Sequence, residues 1–438
     1  MKIFVYFILA SILVSCGDFA DFDAKSNYEE ALGLYRDQEY ERALIKLEPV
    51  FGQNSDEISS ELLAKSLYLR GFIYYLRNNA KEAFSDYLRA MEIADDLGDG
   101  KMTSRLNNEI GQIFFEKELF EQSLSHFKLA LSQADEATTQ DRAYYNFGVG
   151  KSLLKLNRFE EAMDYFLVAV DINEQLRNND ALAGDHMELG VLMRKVGNYD
   201  QAIEHYEKVI KIAPLTFKSD LYLWLGNNNL GNVYLSKQNF DKAEEYLQKS
   251  LLYKNTENQL WVTYNNLGKV YNAKGEYEKA WNCFKKSLAY NSQKVEMNEL
   301  IVTNNALKKT FLKLNQPDSL LHYTMLINDM ALPAVQTNRW LKDEEEKIAL
   351  LTKFQDYQKE KAERDQYAKT SWLLAFIVAF IFFSGVLAIR LWKIYNYKSP
   401  QKAHALIKNS SEMVYLLDMF KREKDEIKKM MDQKFGGS

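Results

Sequence analysis

The feature that most constrains this chain is a sequence pattern that recurs about every 40 residues. The segments 229–234 (Asn-Leu-Gly-Asn-Val-Tyr) and 239–243 recur as 266–271 and 276–280, and fainter copies precede them. One position of the pattern carries a small residue in seven copies and leucine in a degenerate eighth. These residues are Ala43, Ala83, Ser123, Ala162, Ala202, Ala243, Ala280 and Leu320. Their spacing of 37 to 41 residues predicts an array of structural repeats.

Each repeat has the residue types of two antiparallel helices. A glycine on the first helix, such as Gly231 or Gly268, allows the second helix to approach closely, and an alanine follows on the second helix. We expect the aromatic residues Phe127, Phe166, Tyr206 and Phe284 to fill the seams between successive hairpins. One hairpin cannot bury its own apolar face, so stability must come from stacking. The chain has only 5 prolines, which agrees with long helices.

The motif Leu-Gly-x-x-Tyr, a turn, and then Tyr/Phe-x-x-Ala-x-x-x-Tyr/Phe resembles the tetratricopeptide repeat (TPR) family. The resemblance covers residues 26–325 as about seven to eight repeats and is strongest over 183–290. It implies an all-α fold, a right-handed superhelical solenoid whose first helices line a concave, peptide-binding face. The unit of about 40 residues exceeds the usual 34, so we expect longer helices or loops.

Residues 1–15 have a cationic start and an apolar run from Ile3 to Val14, which is typical of a secretory signal peptide. The sequence Leu-Val-Ser-Cys that ends at Cys16 resembles the lipobox of bacterial lipoproteins, which implies lipidation of Cys16. The alternative is an ordinary signal peptide or uncleaved anchor with Cys16 incidental. We expect residues 16–25 to form a linker. Because Cys283 is the only other cysteine, a lipidated Cys16 leaves no intrachain disulfide.

The run 372–389 carries no charged residue and is flanked by Trp372, Arg390 and Trp392. These features predict a transmembrane helix over 371–392; the alternative is a buried core helix. If the signal peptide directs export, the solenoid is extracytoplasmic (periplasmic), the helix crosses the bacterial cytoplasmic membrane, and the tail 393–438 lies in the cytoplasm.

Residues 326–370 are rich in charged helix formers, and we expect a long juxtamembrane helix that is mostly a solvated spacer. A coiled coil is possible there, but its apolar seam is sparse. The tail predicts an amphipathic helix that can lie on the membrane, dimerise or dock a partner. A homodimer could therefore form through residues 334–370 or 411–434.

The sequence contains no convincing catalytic, metal or cofactor set. Gly150-Lys151-Ser152 ends like a phosphate-binding loop, but Tyr145 replaces the required glycine and the segment lies in a repeat helix. The five histidines are scattered, carboxylates fall in mixed-charge surface runs, and Cys283 has the surroundings of a core thiol. The net charge of −5 gives no reason to expect nucleic acid. We therefore expect a protein that is not an enzyme.

Asparagines recur on the first helices of successive repeats, at the positions that line the concave face in TPR proteins. An amide both donates and accepts hydrogen bonds, so a row of amides can satisfy the backbone of an extended peptide. The alternative is that these amides cap helices, bond neighbouring hairpins or keep the groove soluble. The predicted site comprises Asn228, Asn229, Asn232, Asn265, Asn266, Lys269, Asn272 and Asn305.

The predicted function is a membrane-anchored module that binds a protein or peptide in the TPR groove. It resembles the sensor parts of bacterial regulators that join TPR arrays to a coiled helix and a membrane span. The bound partner would be reported through the juxtamembrane helix to a cytoplasmic partner of the tail. The alternative is a static scaffold for an envelope protein complex.

Overall fold

The computed structural model describes residues 23–52, 58–133, 138–253, 256–290, 297–314 and 333–395. Every regular element within these ranges is helical, so the predicted all-α class is confirmed for them. Short 3₁₀ helices lie at Glu48–Phe51 and Ala213–Leu215. The α-helices are α1 (23–36), α2 (Tyr40–Leu47), α3 (Ser60–Leu76), α4 (Ala80–Leu97), α5 (Gly100–Glu116), α6 (Phe120–Ser132), α7 (Thr139–Lys155), α8 (Phe159–Leu176), α9 (Asn179–Lys195), α10 (Tyr199–Ile212), α11 (Ser219–Ser236), α12 (Phe240–Ser250), α13 (Glu257–Lys274), α14 (Tyr277–Ala289), α15 (Met297–Leu314) and α16 (Pro333–Tyr395).

Helices α1 to α14 form seven consecutive hairpins, and the turn of each contains one residue in the left-handed region. This residue always stands two positions before the second helix begins. The seven are Gln38, Asn78, Glu118, Asn157, Gly197, Gln238 and Gly275. The predicted spacing is therefore present in the backbone as well as in the sequence. The second helix predicted near Leu320 lies outside the described residues, and α15 occupies the place of its first helix.

Glycines on the first helices lie directly against large side chains of the second helices. A Cβ added to Gly190 would stand 2.5 Å from the ring of Tyr206, on the second helix of the same hairpin. We expected these rings at the seams between hairpins, but that prediction is incomplete. The ring of Phe127 packs both within its hairpin and at the seam, because it contacts Gly111 of its own hairpin and Gly148 of the next.

The long repeat arises mainly from long helices. In the second hairpin, α3 has 17 residues and α4 has 18, which together exceed the whole 34-residue unit of a typical TPR. The other first helices from α5 to α13 have 17 or 18 residues. The sequence left open whether helices or loops carried the extra length, and the helices carry it here.

A cluster of buried apolar residues runs through the third to seventh hairpins and into α15, from Leu124 to Phe311. A separate cluster joins the first hairpin to α3 of the second. Both clusters cross hairpin boundaries, as expected for units that are stable only when stacked. The first helices of neighbouring hairpins also approach one another, in the series α5, α7, α9, α11, α13 and α15. A stack curves toward the side on which its helices are closest, so the first helices line its inner surface. We call this surface the groove.

Helix α16 is 63 residues long and covers residues 333–370 of the predicted juxtamembrane region, and residues 326–332 of that region lie outside the described residues. The chain divides into two compact units after Phe354. Among the described residues, no helix is long and apolar enough to cross a membrane. The side chains from residue 379 onward, in the predicted span 371–392, are not among those described, so that span stays a prediction. The signal peptide 1–15, Cys16 and tail residues 396–438 also lie outside the described residues.

Candidate functional site

A cavity of about 180 Å³ opens into the groove between α5 and α7. It is smaller than the roughly 300–1,000 Å³ pockets that enclose whole small molecules, so it suits one side chain or chain end of a larger ligand. Its walls combine amide, aromatic and cationic groups. The lining residues are Asn108, Gln112 and Phe115 of α5, Phe127 of α6, and Tyr144, Phe147, Gly148 and Lys151 of α7. We call this cavity the pocket.

Gly148 allows the ring of Phe127 to pack directly on the backbone of α7. A Cβ at this position would lie 2.6 Å from the ring of Phe127, which reaches across from the preceding hairpin. The ring and the bare helix backbone thus form the floor. On the same helix, Tyr144, Phe147 and Lys151 follow at spacings of three and four residues, which places all three side chains on one face.

Lys151 is the charged group of the pocket. Its Nζ lies 4.3 Å from the centroid of the Phe115 ring and 5.5 Å from that of Phe147, both within cation–π range. Burial lowers the pKa of Lys151, although Glu188 and Glu116 oppose this effect. No carboxylate of the described residues forms an ion pair with it. A partly desolvated ammonium of this kind would gain most from a ligand that brings an anionic or strongly accepting group.

Next to the pocket, hydrogen bonds link the first helices of the second and third hairpins. The Tyr68 hydroxyl donates to Glu109 Oε1 at 3.4 Å, and the Tyr75 hydroxyl donates to Glu116. Burial raises the pKa of Glu109 to about 7, even though hydrogen bonds from Asn108 and Tyr68 act in the opposite direction. Glu109 is therefore partly protonated near neutral pH.

Three carboxylates disagree with the expectation that acidic residues occupy solvated faces. Burial raises the pKa of Glu109, and it also raises the pKa of Glu188 and that of Asp185, the last to about 7. Asp185 is 1% exposed and accepts a hydrogen bond from Asn173 Nδ2 at 2.7 Å. Glu109, Lys151 and Glu188 lie partly exposed on α5, α7 and α9, so acidic and basic side chains alternate on the first helices of three hairpins.

The predicted asparagine site is largely an internal network. Asn266 Nδ2 donates to Asn228 Oδ1 at 3.2 Å, and Asn228 Nδ2 donates to Thr263 Oγ1 at 3.1 Å. Trp224 Nε1 also donates to Thr263 Oγ1, at 2.9 Å. Asn228 and Asn266 are only 4% and 6% exposed. These two amides bond α11 to α13, which is the alternative role that the sequence left open.

The remaining predicted residues differ in their exposure and in the hydrogen bonds that their side chains already make. Asn229 and Asn232 are partly exposed, and their Nδ2 groups donate to Leu225 O and to Asn228 Oδ1. Lys269 Nζ donates to Asn266 Oδ1 at 3.4 Å. Asn265 and Asn272 are buried, the latter donating to Ala306 O at 3.0 Å, while the side chain of Asn305 is outside those described. A peptide-binding role for this set stays a prediction.

Other residues that could carry chemistry are enclosed in the repeats. His186 and His205, which the sequence treats as unrelated, meet with their Nδ1 atoms 3.3 Å apart, and burial lowers the pKa of each to about 4. The described residues contain no group of three or more side chains placed to hold a metal ion. Burial raises the pKa of the Cys283 thiol to about 11. Lys151 and Ser152 lie inside α7, as expected from the defective phosphate-loop pattern.

The sequence analysis missed Tyr144, Lys151 and Glu109 as groove residues. Lys151 and Glu109 stand at the repeat positions of Asn232 and Asn229, which is the signal that could have found them, whereas Tyr144 matches no asparagine position. Asn108 of α5, which stands at the repeat position of Asn228, lies in the pocket wall.

Family comparisons agree with this geometry. Models of the tetratricopeptide repeat match residues 108–177, 180–251 and 220–293. The chain contains tetratricopeptide repeats. The matched residues include both the pocket and the asparagine network of α11 and α13. The matched repeats contribute most of the first helices that line the groove.

Curated relatives match only segments of the chain. The transcriptional activator NprA of Geobacillus stearothermophilus is 29% identical over 153 residues, or 34% of this chain and 37% of that protein. Lipopolysaccharide assembly protein B of Escherichia coli K12 is 29% identical over 114 residues, or 26% of each. The match therefore spans about a third or less of these relatives.

The solved structures that are similar to this chain match it at low identity and with TM-scores below 0.5. The apo form of the quorum sensor NprR from B. thuringiensis is 15% identical, with a TM-score of 0.48 over 71% of this chain and 99% of that one. A tetratricopeptide repeat protein from Parabacteroides merdae is 18% identical, with a TM-score of 0.47 over 66% and 99%.

Proposed function

We propose that this protein is a protein-interaction module that binds an extended segment of a partner along its groove and anchors it in the pocket. The observation that carries this proposal is Lys151, an ammonium held by two aromatic rings at the wall of an open cavity. A structural lysine would be expected to have an ion-pair partner, whereas this one is supported by rings and faces free volume.

The pocket favours a ligand group that is partly apolar and ends in a carboxylate or carbonyl. Phe115, Phe147 and Tyr144 supply the apolar contact area, and Lys151 supplies charge. Asn108 and Gln112 can donate to and accept from a neighbouring peptide unit. An acidic side chain next to an apolar one, or a free C-terminus, has this chemistry.

The rest of the ligand would follow the groove toward the asparagines. Asn229 and Asn232 each use Nδ2 in the hydrogen bonds that the structure gives them, which leaves Oδ1 as an acceptor for a peptide N–H. We therefore place peptide contacts at Asn229, Asn232 and Lys269, and assign Asn228 and Asn266 to the link between hairpins.

We further propose, from the sequence, that a lipid at Cys16 and a helix over 371–392 hold the solenoid outside the bacterial cytoplasmic membrane. In this arrangement partner capture would be relayed to the tail. The alternative remains a static scaffold. Deletion of residues 398–438 separates the two, because a relay requires the tail for the cellular response but not for capture, and a scaffold requires it for neither.

Selection of random peptides on the purified full-length chain tests the groove. Enriched peptides are expected to bind Lys151→Met at least 10-fold more weakly and to bind Lys128→Met unchanged. Lys128 is an exposed lysine of α6, so it controls for the loss of one charge. Peptides that bind both variants as well as the parent would contradict the assignment of the pocket.

A further inference from the structure

The start of α16 packs against the third hairpin, contrary to its expected role as a solvated spacer. Lys117, just after α5, lies with its Nζ 2.6 Å from Glu346 Oε2 and 3.3 Å from Asp343 Oδ1. The Lys117 side chain is 18% exposed, so solvent screens these ion pairs only in part. Both carboxylates belong to a stretch that the sequence shows only as a charged run.

Apolar contacts continue the interface toward the end of the first compact unit. The Phe354 ring meets Phe114 edge-on at 5.8 Å between centroids, and meets His126 at 4.8 Å. Leu350, one turn earlier on α16, is 2% exposed. Phe114 and His126 are themselves buried, so Phe354 closes over an existing part of the core.

The contacting residues have the spacing of one helix face. Asp343, Glu346, Leu350 and Phe354 follow at intervals of three and four, with the acidic residues first and the apolar residues last. We call residues 343–354 the docking segment. The surface formed by Phe114, Lys117 and His126, which we call the docking surface, complements that order.

The contact is unusual because a repeat in a solenoid normally touches only its neighbours. Here the contacting residues are separated by 226 to 240 positions in sequence, with four complete hairpins between them. Chain connectivity therefore does not impose the contact. The complementary charges and rings must provide the free energy that holds the segment in place.

Helix α5 connects the docking surface to the pocket. Asn108, Gln112 and Phe115 line the pocket, whereas Phe114 lies on a different face of the same helix. At about 100° per residue, Phe114 projects roughly 130° away from the mean direction of those three residues. His126 is bonded to this helix as well, through Asn107 Oδ1 at 2.9 Å.

We propose that the docking surface is a binding site for an acidic amphipathic helix, and that the docking segment of the same chain occupies it. We also propose that a ligand in the pocket changes this occupancy through α5, a coupling that rests on the proposed function. The docking of residues 343–354 then depends on whether a ligand occupies the pocket.

Hydrogen–deuterium exchange of the docking segment in the full-length chain tests the contact. Lys117→Glu is expected to speed exchange at 343–354 by about 10-fold, because it replaces two ion pairs with repulsions. Adding Glu346→Lys to Lys117→Glu should restore much of the protection. Phe354→Ala alone should also reduce the protection, because it removes the ring contacts with Phe114 and His126. Lys128→Glu, a matched charge reversal on α6, should have no effect.

Unchanged exchange in both Lys117→Glu and Phe354→Ala would overturn the docking. Protection that falls on dilution would assign the segment to a second copy of the chain, and would also overturn docking within one chain. The rate at α11 serves as an internal reference that each variant is folded.

The coupling is tested by repeating the exchange with a saturating groove peptide. A change of at least threefold at 343–354, absent in Lys151→Met, is the expected result. A peptide that binds through Lys151 but leaves 343–354 unchanged overturns the coupling and leaves the proposed function intact. If no peptide binds the pocket, the proposed function and the coupling both fail, while the docking result still stands.

Discussion

Asn266 donates a hydrogen bond from Nδ2 to Oδ1 of Asn228, 3.2 Å away on the preceding repeat. Asn228 completes the link by donating to Thr263. In a solenoid, the interfaces between repeats provide much of the stability. A row of asparagines on first helices can therefore stabilise the stack. Only those asparagines whose side chains are exposed to the groove can be assigned to ligand binding.

Replacement of Asn228 by Ala is expected to destabilise the repeats by about 1–3 kcal/mol, because it leaves the buried Asn266 amide without its acceptor. Asn229→Ala, at a partly exposed position on the same helix, should cost less than about 1 kcal/mol. Urea unfolding followed by circular dichroism measures both. Equal effects of the two variants would show that the network does not stabilise the link between hairpins.

Gly190→Ala and Gly184→Ala form a matched pair within α9. The new Cβ at Gly190 would meet the Tyr206 ring at 2.5 Å, so we expect a loss of about 1–3 kcal/mol. At Gly184 the nearest atom is the Tyr222 hydroxyl oxygen at 3.8 Å, and the higher helix propensity of alanine should give a gain of about 0.5–1 kcal/mol. The unfolding midpoints should move in opposite directions. A tolerated Gly190→Ala would contradict the close approach of the two helices.

Glu109→Gln is expected to change how stability depends on pH. The pKa of Glu109 is raised from 4.5 to about 7, so the folded state retains its proton where the unfolded chain has lost it. The contribution of the protonated Glu109 carboxyl to the free energy of unfolding is therefore fully present below pH 4.5 and is lost as the pH rises through about 7. The glutamine variant should gain on the parent over this interval, by at most on the order of 3 kcal/mol. Parallel curves of thermal midpoint against pH would refute this.

The sequence predicted the fold well because the same hairpin pattern occurs in many successive repeats. Each left-handed turn, such as those at Gly197 and Gly275, recurs with the same spacing as the small residue that follows it. The packing of Tyr206 on Gly190 was harder to place, since either neighbour of the second helix can accept the ring. The local sequence pattern therefore predicts each hairpin, whereas the residue that each ring contacts depends on how the hairpins stack.

The groove was predicted only in part. Residue type places an asparagine on a first helix, but it does not distinguish buried Asn228 from partly exposed Asn232. The pocket is lined by residues of α5, α6 and α7, which belong to two hairpins, and no local pattern contains all three helices. The contact of Phe354 with His126 spans most of the chain, so it has no sequence signature at all.

Site-specific photocrosslinking in intact cells tests the central claim, that the groove holds a partner at the pocket. A photoreactive phenylalanine would replace Tyr144 in the pocket wall, and Leu129, an exposed residue of α6, would serve as the control position. We predict a discrete adduct from position 144 that disappears when Lys151→Met is added, and none from position 129. Equal adducts from both positions, or an adduct at 144 that persists with Lys151→Met, would contradict the claim.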